Sequence, residues 1–367
     1  MILQFGAGNF LRAFVDLFVA QLDRETESSL GPVVVVQSTG RERADALNQA
    51  GGRYRVLVRG YQDGRMIDEV EAVDSIREAL HAGSQWGQIL EIGRDPALSM
   101  IVSNTTEAGL VLDSADETKA GVPVSFPAKL LAVLLARYET GLPGVWILPC
   151  ELVANNGSVV RDLVLEQAAR WSVTPEALKW LTEECRWVNN LVDRIVPGPP
   201  KEHPLLADDP LLLSAEPFAF WAIELDAESA ATFPFRGHPA VEIAPDISPY
   251  ALRKVRILNG AHSAMVARAE ETDVRTVRDF VEHPELAPWL ETLLFEEIVP
   301  VLEGRCEDPA GFARQTLDRF RNPFLEHQLS AIGLHHEAKV AIRLRPTLEE
   351  FRERFGRDPE RLAAILF

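Results

Sequence analysis

The chain has 367 residues, 47% hydrophobic and 25% charged, which is the balance of a soluble globular protein of about two domains with a sizeable core. Its 37 basic residues face 55 acidic ones, and the net charge of −18 argues against nucleic acid and anionic membrane surfaces as partners. Cys150, Cys185 and Cys306 are too few and too scattered for a disulfide framework or zinc site, and the eight histidines show no metal-binding spacing. No apolar run reaches membrane-spanning length, and a first strand starting at Ile2 leaves no room for a signal peptide. A cytoplasmic protein with reduced thiols and no metal is expected.

Residues 2–12, ILQFGAGNFLR, read as a short apolar strand running into a helix through Gly6 and Gly8. Strand, glycine turn and helix in that order form a dinucleotide fingerprint. Gly6 permits the tight turn, and Gly8 lets the backbone approach a pyrophosphate at the helix N-terminus. Asn9 and Phe10, which open the helix, complete the candidate contacts there. Leu11 stands where the third glycine of G-x-G-x-x-G belongs, so the motif taken alone reads as well as a plain turn. The helix is expected to bury Phe10, Leu11, Phe14, Leu17, Phe18 and Leu22 on one face. Val33–Val36 is a run typical of a parallel strand buried on both faces. Gln37 ends it, at the position where a carboxylate would hold the adenosine ribose, and Ser38, Thr39, Arg41 and Arg43 follow. An amide beside guanidiniums does not reject the 2′-phosphate of NADP, although Arg41 and Arg43 can equally begin a solvated helix.

Residues 53–73 alternate apolar and polar about Asp63-Gly64, a hairpin signal and an expected insertion into the nucleotide domain. A helix near 84–94 leads to a strand over Leu98–Asn104. The segment SNTTEAG (Ser103 to Gly109) should lie at that strand's carboxyl end, where open α/β sheets hold ligands. Asn104 and Thr105 are its candidate contacts, with strand-end capping as the plainer role for Thr105 and Thr106. Ser125 and Pro127 start an amphipathic helix, and Gly144–Cys150 is another buried strand. The nucleotide domain is expected to span 1–155. Asn156, just beyond the strand, can cap the helix near Ser158.

Residues 156–367 are expected to form a mostly helical substrate domain. Within it, Trp187–Pro197 is an extended connection and Phe218–Leu225 a strand. Asp193 and Arg194 read there as a simple ion pair. Helices are expected over 274–282, 286–302, 309–320, 323–334, 347–355 and 359–367. Ser248 and Pro249 open the helix that matters most, which runs unbroken to Gly260. With Lys254 at 0° on an α-helical wheel, His262 falls near 80° and Asn259 near 140°. A base, an amide donor and an imidazole thus share one side.

The pattern K-x4-N-G-x-H-S resembles the signature of the long-chain polyol dehydrogenases, a family that includes mannitol dehydrogenases and the hexuronate reductases. FGAGNFLRAFVD, SNTTEAG, CELVANNG, LVDRIVP and RFRNPFLEHQL look closest to its tagaturonate reductase branch. The resemblance spans most of the chain. It implies an α/β fold, with an N-terminal Rossmann-type domain ahead of a helical substrate domain, and NAD as cofactor with NADP left open. It also implies Lys254 as acid/base, Asn259 and His262 on the reacting oxygen, Asn156 as a second donor, and Asp193 beside the nicotinamide. The reaction implied is reversible reduction of tagaturonate to altronate, on a small sugar acid or polyol and without metal. Sibling readings are fructuronate reductase and mannitol-1-phosphate 5-dehydrogenase; a non-catalytic nucleotide-binding regulator is the reading from another class. Monomer and homodimer are both open. The sequence departs from the family at Glu151-Leu152, where mannitol dehydrogenases carry Asp-Asn. His335-His336 replaces an Asp-Gly ahead of Lys339 and Arg343, and the family's usual C-terminal extension is expected to be reduced or absent.

Overall fold

The structure is a computed structural model that describes residues 1–25, 30–105, 109–270 and 272–366. It divides into two compact units, one of residues 1–57, 70–215 and 219–245, the other of 58–69, 216–218 and 246–367.

The first unit is built on parallel strands β1 (Ile2–Phe5) and β2 (Val33–Gln37), followed by the hairpin β3 (Tyr54–Gln62) and β4 (Arg65–Val73). Next come β5 (Ile76–His81), β6 (Met100–Ser103), β7 (Trp146–Pro149) and β8 (Arg186–Trp187). The main sheet runs β5-β2-β1-β6-β7-β8, with every described pairing parallel. Counted among the sheet's own strands this is the order 3-2-1-4-5-6, which reverses direction between β1 and β6. Val33–Val36 are fully buried, as a two-sided strand requires. Helices α1 (Asn9–Arg12), α2 (Val15–Glu25), α3 (Glu42–Gln49), α4 (Ala82–Gly93), α5 (Phe126–Tyr138), α6 (Asn156–Arg170) and α7 (Pro175–Glu183) carry the connections. The Ser125 hydroxyl accepts from the Ala128 N–H and caps α5, whose Leu130, Leu131 and Leu134 pack in the main core.

The nucleotide unit extends well past residue 155. β8 pairs with β7 at the sheet edge, and a second sheet of β9 (Asn190–Asp193), β11 (Phe220–Glu224) and β12 (Val241–Ala244) belongs to the same unit. Trp221 of β11 is fully buried against Phe14 and Phe18, at 5.5 and 6.3 Å between ring centroids. That aromatic packing ties the stretch to α2, so the division falls after Pro245. Short β10 (Leu213–Ala215) pairs with β3, and α8 (Ala227–Thr232) follows β11.

The second unit is helical: α9 (Ser248–Arg253), α10 (Gly260–Ala269), α11 (Val277–Glu282), α12 (Leu286–Thr292), α13 (Val299–Leu302), α14 (Pro309–Phe320), α15 (Leu329–Ile332), α16 (His336–Arg343), α17 (Arg345–Phe355) and α18 (Glu360–Leu366). Between α9 and α10, and again between α12 and α13, the chain stays helical but widens to a π turn, over Lys254–Asn259 and Leu293–Ile298. Ile257, Leu258, Ala261, Met265, Phe280 and Leu344 lie in the core of this unit. The expected helix over 323–334 is reduced to α15, because the Asn322 side chain accepts from the Phe324 N–H and holds the preceding stretch in a turn. The hairpin tip, with Asp63 and Gly64 both at positive φ, also belongs here; the Gly64 N–H donates to Asp318 of α14. Arg319 and Glu216 form a bidentate pair, both bonds 2.9 Å, with each side chain 1% exposed. No helix among the described residues is long and apolar enough to cross a membrane.

Candidate functional site

A cleft of about 540 Å³ opens at the carboxyl ends of β1, β2 and β6, where the strand order reverses. Gly6, Gly8, Gln37, Asn104 and Thr105, five of the candidate contacts, line it. Gly6 has φ +129°, a conformation only glycine adopts easily, and a Cβ there would sit 3.2 Å from the Asn104 carbonyl. Gly8 differs: its φ is −69°, and an added Cβ would meet no atom within 4 Å. The open space over Gly8 at the start of α1 fits a pyrophosphate approaching the backbone. Asn104 closes the far side by donating to the Cys150 carbonyl at 2.6 Å, and the Thr105 N–H donates to Glu151 at 2.8 Å. Burial raises the Glu151 carboxyl, partly offset by those bonds from Thr105 and Ser103. Thr106 to Ala108 of the SNTTEAG segment lie outside the described residues.

Four other candidate contacts are not among the described residues lining the cleft. The Asn9 side-chain amide oxygen accepts from Arg12 at 2.8 Å and Arg43 at 3.1 Å, while Phe10 stacks on Phe14. Asp193 is buried in β9, opposite Phe220. Asn156 is buried and donates both amide hydrogens to main-chain carbonyls, of Glu151 at 3.2 Å and Asn190 at 3.0 Å. Its oxygen accepts from the N–H groups of Gly157 and Asn190. An amide so committed pins β9 to the start of α6 and has no donor left for a substrate carbonyl.

Sequence reasoning missed two residues. Arg12 is almost fully buried at the break between α1 and α2, where Nη1 donates to the Leu211 carbonyl and Nη2 to Asn9. An arginine on an apolar helix carries no mark that predicts this. Lys129 lines the cleft one turn into α5, its ammonium donating to the Val124 carbonyl and its pKa lowered by burial. A lysine on the buried face just after the Ser125 cap was the available signal.

In the second unit the π turn revises the α-helical wheel. A backbone bond from residue i to i+5 stacks Lys254 and Asn259 one above the other, closer than an α-helix would set them. Both are half-buried, and the Asn259 amide has no hydrogen-bond partner among the described residues. Arg256 turns away to Thr347 and Glu350, at 2.7 and 3.0 Å, and Arg253 donates to the Glu307 carbonyl. His262 is buried, its Nε2 without a hydrogen-bond partner among the described residues, and lies 5.0 Å between centroids from the His327 ring. Burial first, then the charges of His327, Arg319, Arg343 and Lys339, hold it well below the ordinary imidazole value, so it is neutral at pH 7. Lys339 donates to the Ile332 carbonyl, and Arg343 to the Ser263 hydroxyl. His335, the first of the substituted pair, caps α16 at φ +58°. Among the described residues no His, Cys, Asp and Glu cluster has a metal-holding arrangement.

A doubly wound nucleotide-binding unit followed by a helical unit bearing this Lys–Asn–His set defines the class of two-unit Rossmann dehydrogenases. Comparison with known proteins narrows the class. The mannitol dehydrogenase Rossmann domain matches residues 1–235, and the mannitol dehydrogenase C-terminal domain matches residues 246–366. The chain belongs to the mannitol dehydrogenase family and is a dehydrogenase or reductase. Altronate oxidoreductase of Bacillus subtilis (strain 168) is 38% identical over 372 residues, 98% of this chain and 77% of that protein. A crystal structure of D-sorbitol dehydrogenase in substrate-free form superposes with TM-score 0.87 at 25% identity, over all of this chain and 78% of that one. The Pseudomonas fluorescens mannitol 2-dehydrogenase complex with NAD and D-mannitol shares the fold, with TM-score 0.78 at 23% identity over all of this chain and 77% of its own.

Proposed function

We propose that this enzyme reversibly reduces tagaturonate to altronate with NAD(H), and that Lys254 is its general acid and base. The observation that carries the reading is the π turn that stacks Lys254 on Asn259, one helical turn before the neutral His262, whose Nε2 has no partner among the described residues. π turns of this kind are frequent at functional sites because they turn side chains off the regular helical spacing. The cations around His262, Arg343 and Lys339 among them, support an anionic sugar substrate. In a chain of net charge −18 a carboxylate needs such a local reserve of positive charge. The resemblance to altronate oxidoreductases agrees with this choice.

Bound NAD(H) supplies or accepts the hydride. The chain's own groups do the rest. Reduction builds negative charge on the carbonyl oxygen, which the Asn259 amide stabilises and the Lys254 ammonium protonates. In oxidation, neutral Lys254 takes the proton back. His262, kept neutral, offers Nε2 to a substrate hydroxyl and orients it, and Lys339 and Arg343 hold the carboxylate. Asn156 takes no part. Small-molecule chemistry of this kind suits a cytoplasmic enzyme that needs neither nucleic acid nor membrane.

The test is to follow NADH oxidation with tagaturonate, fructuronate, fructose and fructose 6-phosphate. Tagaturonate is expected to give the highest kcat/KM. A preference for a neutral or phosphorylated sugar would overturn the substrate assignment.

A further inference from the structure

The adenosine end of the cleft differs from a site built to select NAD. A Rossmann site that rejects NADP places a carboxylate at the end of the second strand, against the ribose 2′-hydroxyl. Here that position is Gln37, and its side chain is folded back onto its own loop. Its amide donates to the Thr39 carbonyl at 2.8 Å, and its oxygen accepts from the Ala44 N–H at 2.7 Å. Gln37 therefore organises the loop between β2 and α3 and turns no charge toward the ribose.

The nearby carboxylates are occupied as well. Glu42 accepts from the Arg41 N–H at 3.1 Å, and Asp45 pairs with the Arg41 side chain at 2.9 Å. Asp113, which also lines the cleft, accepts from the Ala115 N–H and begins a separate turn after β6. What the loop does present is two hydroxyls, Ser38 and Thr39, and the Arg43 guanidinium, all lining the cleft. Among the described residues Arg43 is steadied by a single hydrogen bond, from Nη1 to the Asn9 side chain at 3.1 Å. That contact fixes it beside the glycine turn and leaves its remaining N–H groups for an acceptor.

We propose that this cleft binds the 2′-phosphate of NADP(H), with Arg43 as its charged contact and Ser38 and Thr39 as hydroxyl partners, so that the enzyme uses both nicotinamide dinucleotides. The inference rests on the nucleotide reading of the cleft. Arg43 confers the specificity by the same physics that makes arginine the usual partner of phosphate: a planar fork of donors with a permanent charge. The overall negative charge of the protein makes a local guanidinium the more necessary.

Isothermal titration with 5′-AMP, 2′,5′-ADP, NADH and NADPH tests it without turnover. The expected result is 2′,5′-ADP binding more tightly than 5′-AMP by on the order of tenfold, the scale of one charge-assisted hydrogen bond. Arg43→Ala should erase that difference, and Arg43→Lys should restore part of it. Gln37→Asp should reverse it by setting a carboxylate against the phosphate. Equal affinity for the two adenosine phosphates in the wild type, or a preference untouched by Arg43→Ala, overturns the inference while NADH binding leaves the cofactor reading standing. Failure of all four to bind removes the cofactor reading, and this inference with it.

Discussion

Replacing Asn156 with alanine would strip a buried side chain that ties three stretches of backbone together. The amide donates to the carbonyls of Glu151 and Asn190, and its oxygen accepts from the N–H groups of Gly157 and Asn190. Alanine leaves these main-chain groups without partners in a place water does not reach. A buried group left unsatisfied costs about 1–3 kcal/mol, and partial relaxation at the start of α6 recovers some of it. A loss of about 4 kcal/mol is expected, or roughly 8–16 °C in Tm for a unit of this size. The assay is thermal unfolding by circular dichroism, read beside kcat per mole of folded enzyme. If Asn156 only holds β9 to α6, stability falls and the kcat of the folded fraction stays within about threefold. A catalytic donor behaves in the opposite way, since removing one aimed at a developing oxyanion costs about 10²–10³ in kcat. A variant that melts with the wild type and loses that much activity would refute the assignment.

Lys254→Ala should lower kcat by about 10²–10⁴ with NADH affinity nearly unchanged, and should abolish the loss of alcohol oxidation at low pH; a folded variant with wild-type kcat and pH profile would sink the mechanism. Gly8→Val should keep the fold, given its ordinary φ and open surroundings, while weakening NADH binding at least about tenfold, the scale of one good lost contact. Gly6→Ala should instead cost stability by about 1–3 kcal/mol, because φ +129° strains any side chain; equal melting temperatures for the two variants would contradict this. Asp16 is fully buried, and its carboxyl is pushed up to about 7, chiefly by burial. Its unfolded form ionises near pH 4 while the folded form stays protonated, so stability falls as pH rises from about 4 and the loss is complete a little above 7. Asp16→Asn does not ionise and should gain a few kcal/mol on the wild type between pH 4 and 8, which parallel unfolding curves across that range would disprove.

The nucleotide half was legible where local chemistry decides structure. The β-branched run at Val33–Val36 forms a buried strand and Gly6 takes the positive φ its turn needs, while in the second unit the Asp63-Gly64 turn closes its hairpin as read. Long-range packing was not legible in the same way. Trp187–Pro197 and Phe218–Leu225 were read as extended, but nothing local says that Trp221 packs on Phe14 and keeps them with the first unit. Asn156 looked like a donor because its partners, the main-chain groups of Glu151 and Asn190, are invisible in a residue list. Arg12 was passed over for the same reason. Lys254, Asn259 and His262 were found by type and spacing, whereas the angle between them was not. A π turn leaves no compositional trace, since it is fixed by what the helix packs against.

The π turn over Lys254–Asn259 amounts to one surplus residue in the reading frame of a long helix. Removing any single residue from Val255 to Leu258 would let the segment relax to an ordinary α-helix. The shortened spacing of four residues would still set the lysine and the asparagine one above the other, as an α-helix does for positions i and i+4. Ala261, Ala264 and Met265 would keep their enclosed face, and His262 its cationic surroundings. The surplus residue is thus taken up within a single turn. The wider turn lets the helix carry an added residue while the reacting groups and the core of the second unit stay in phase.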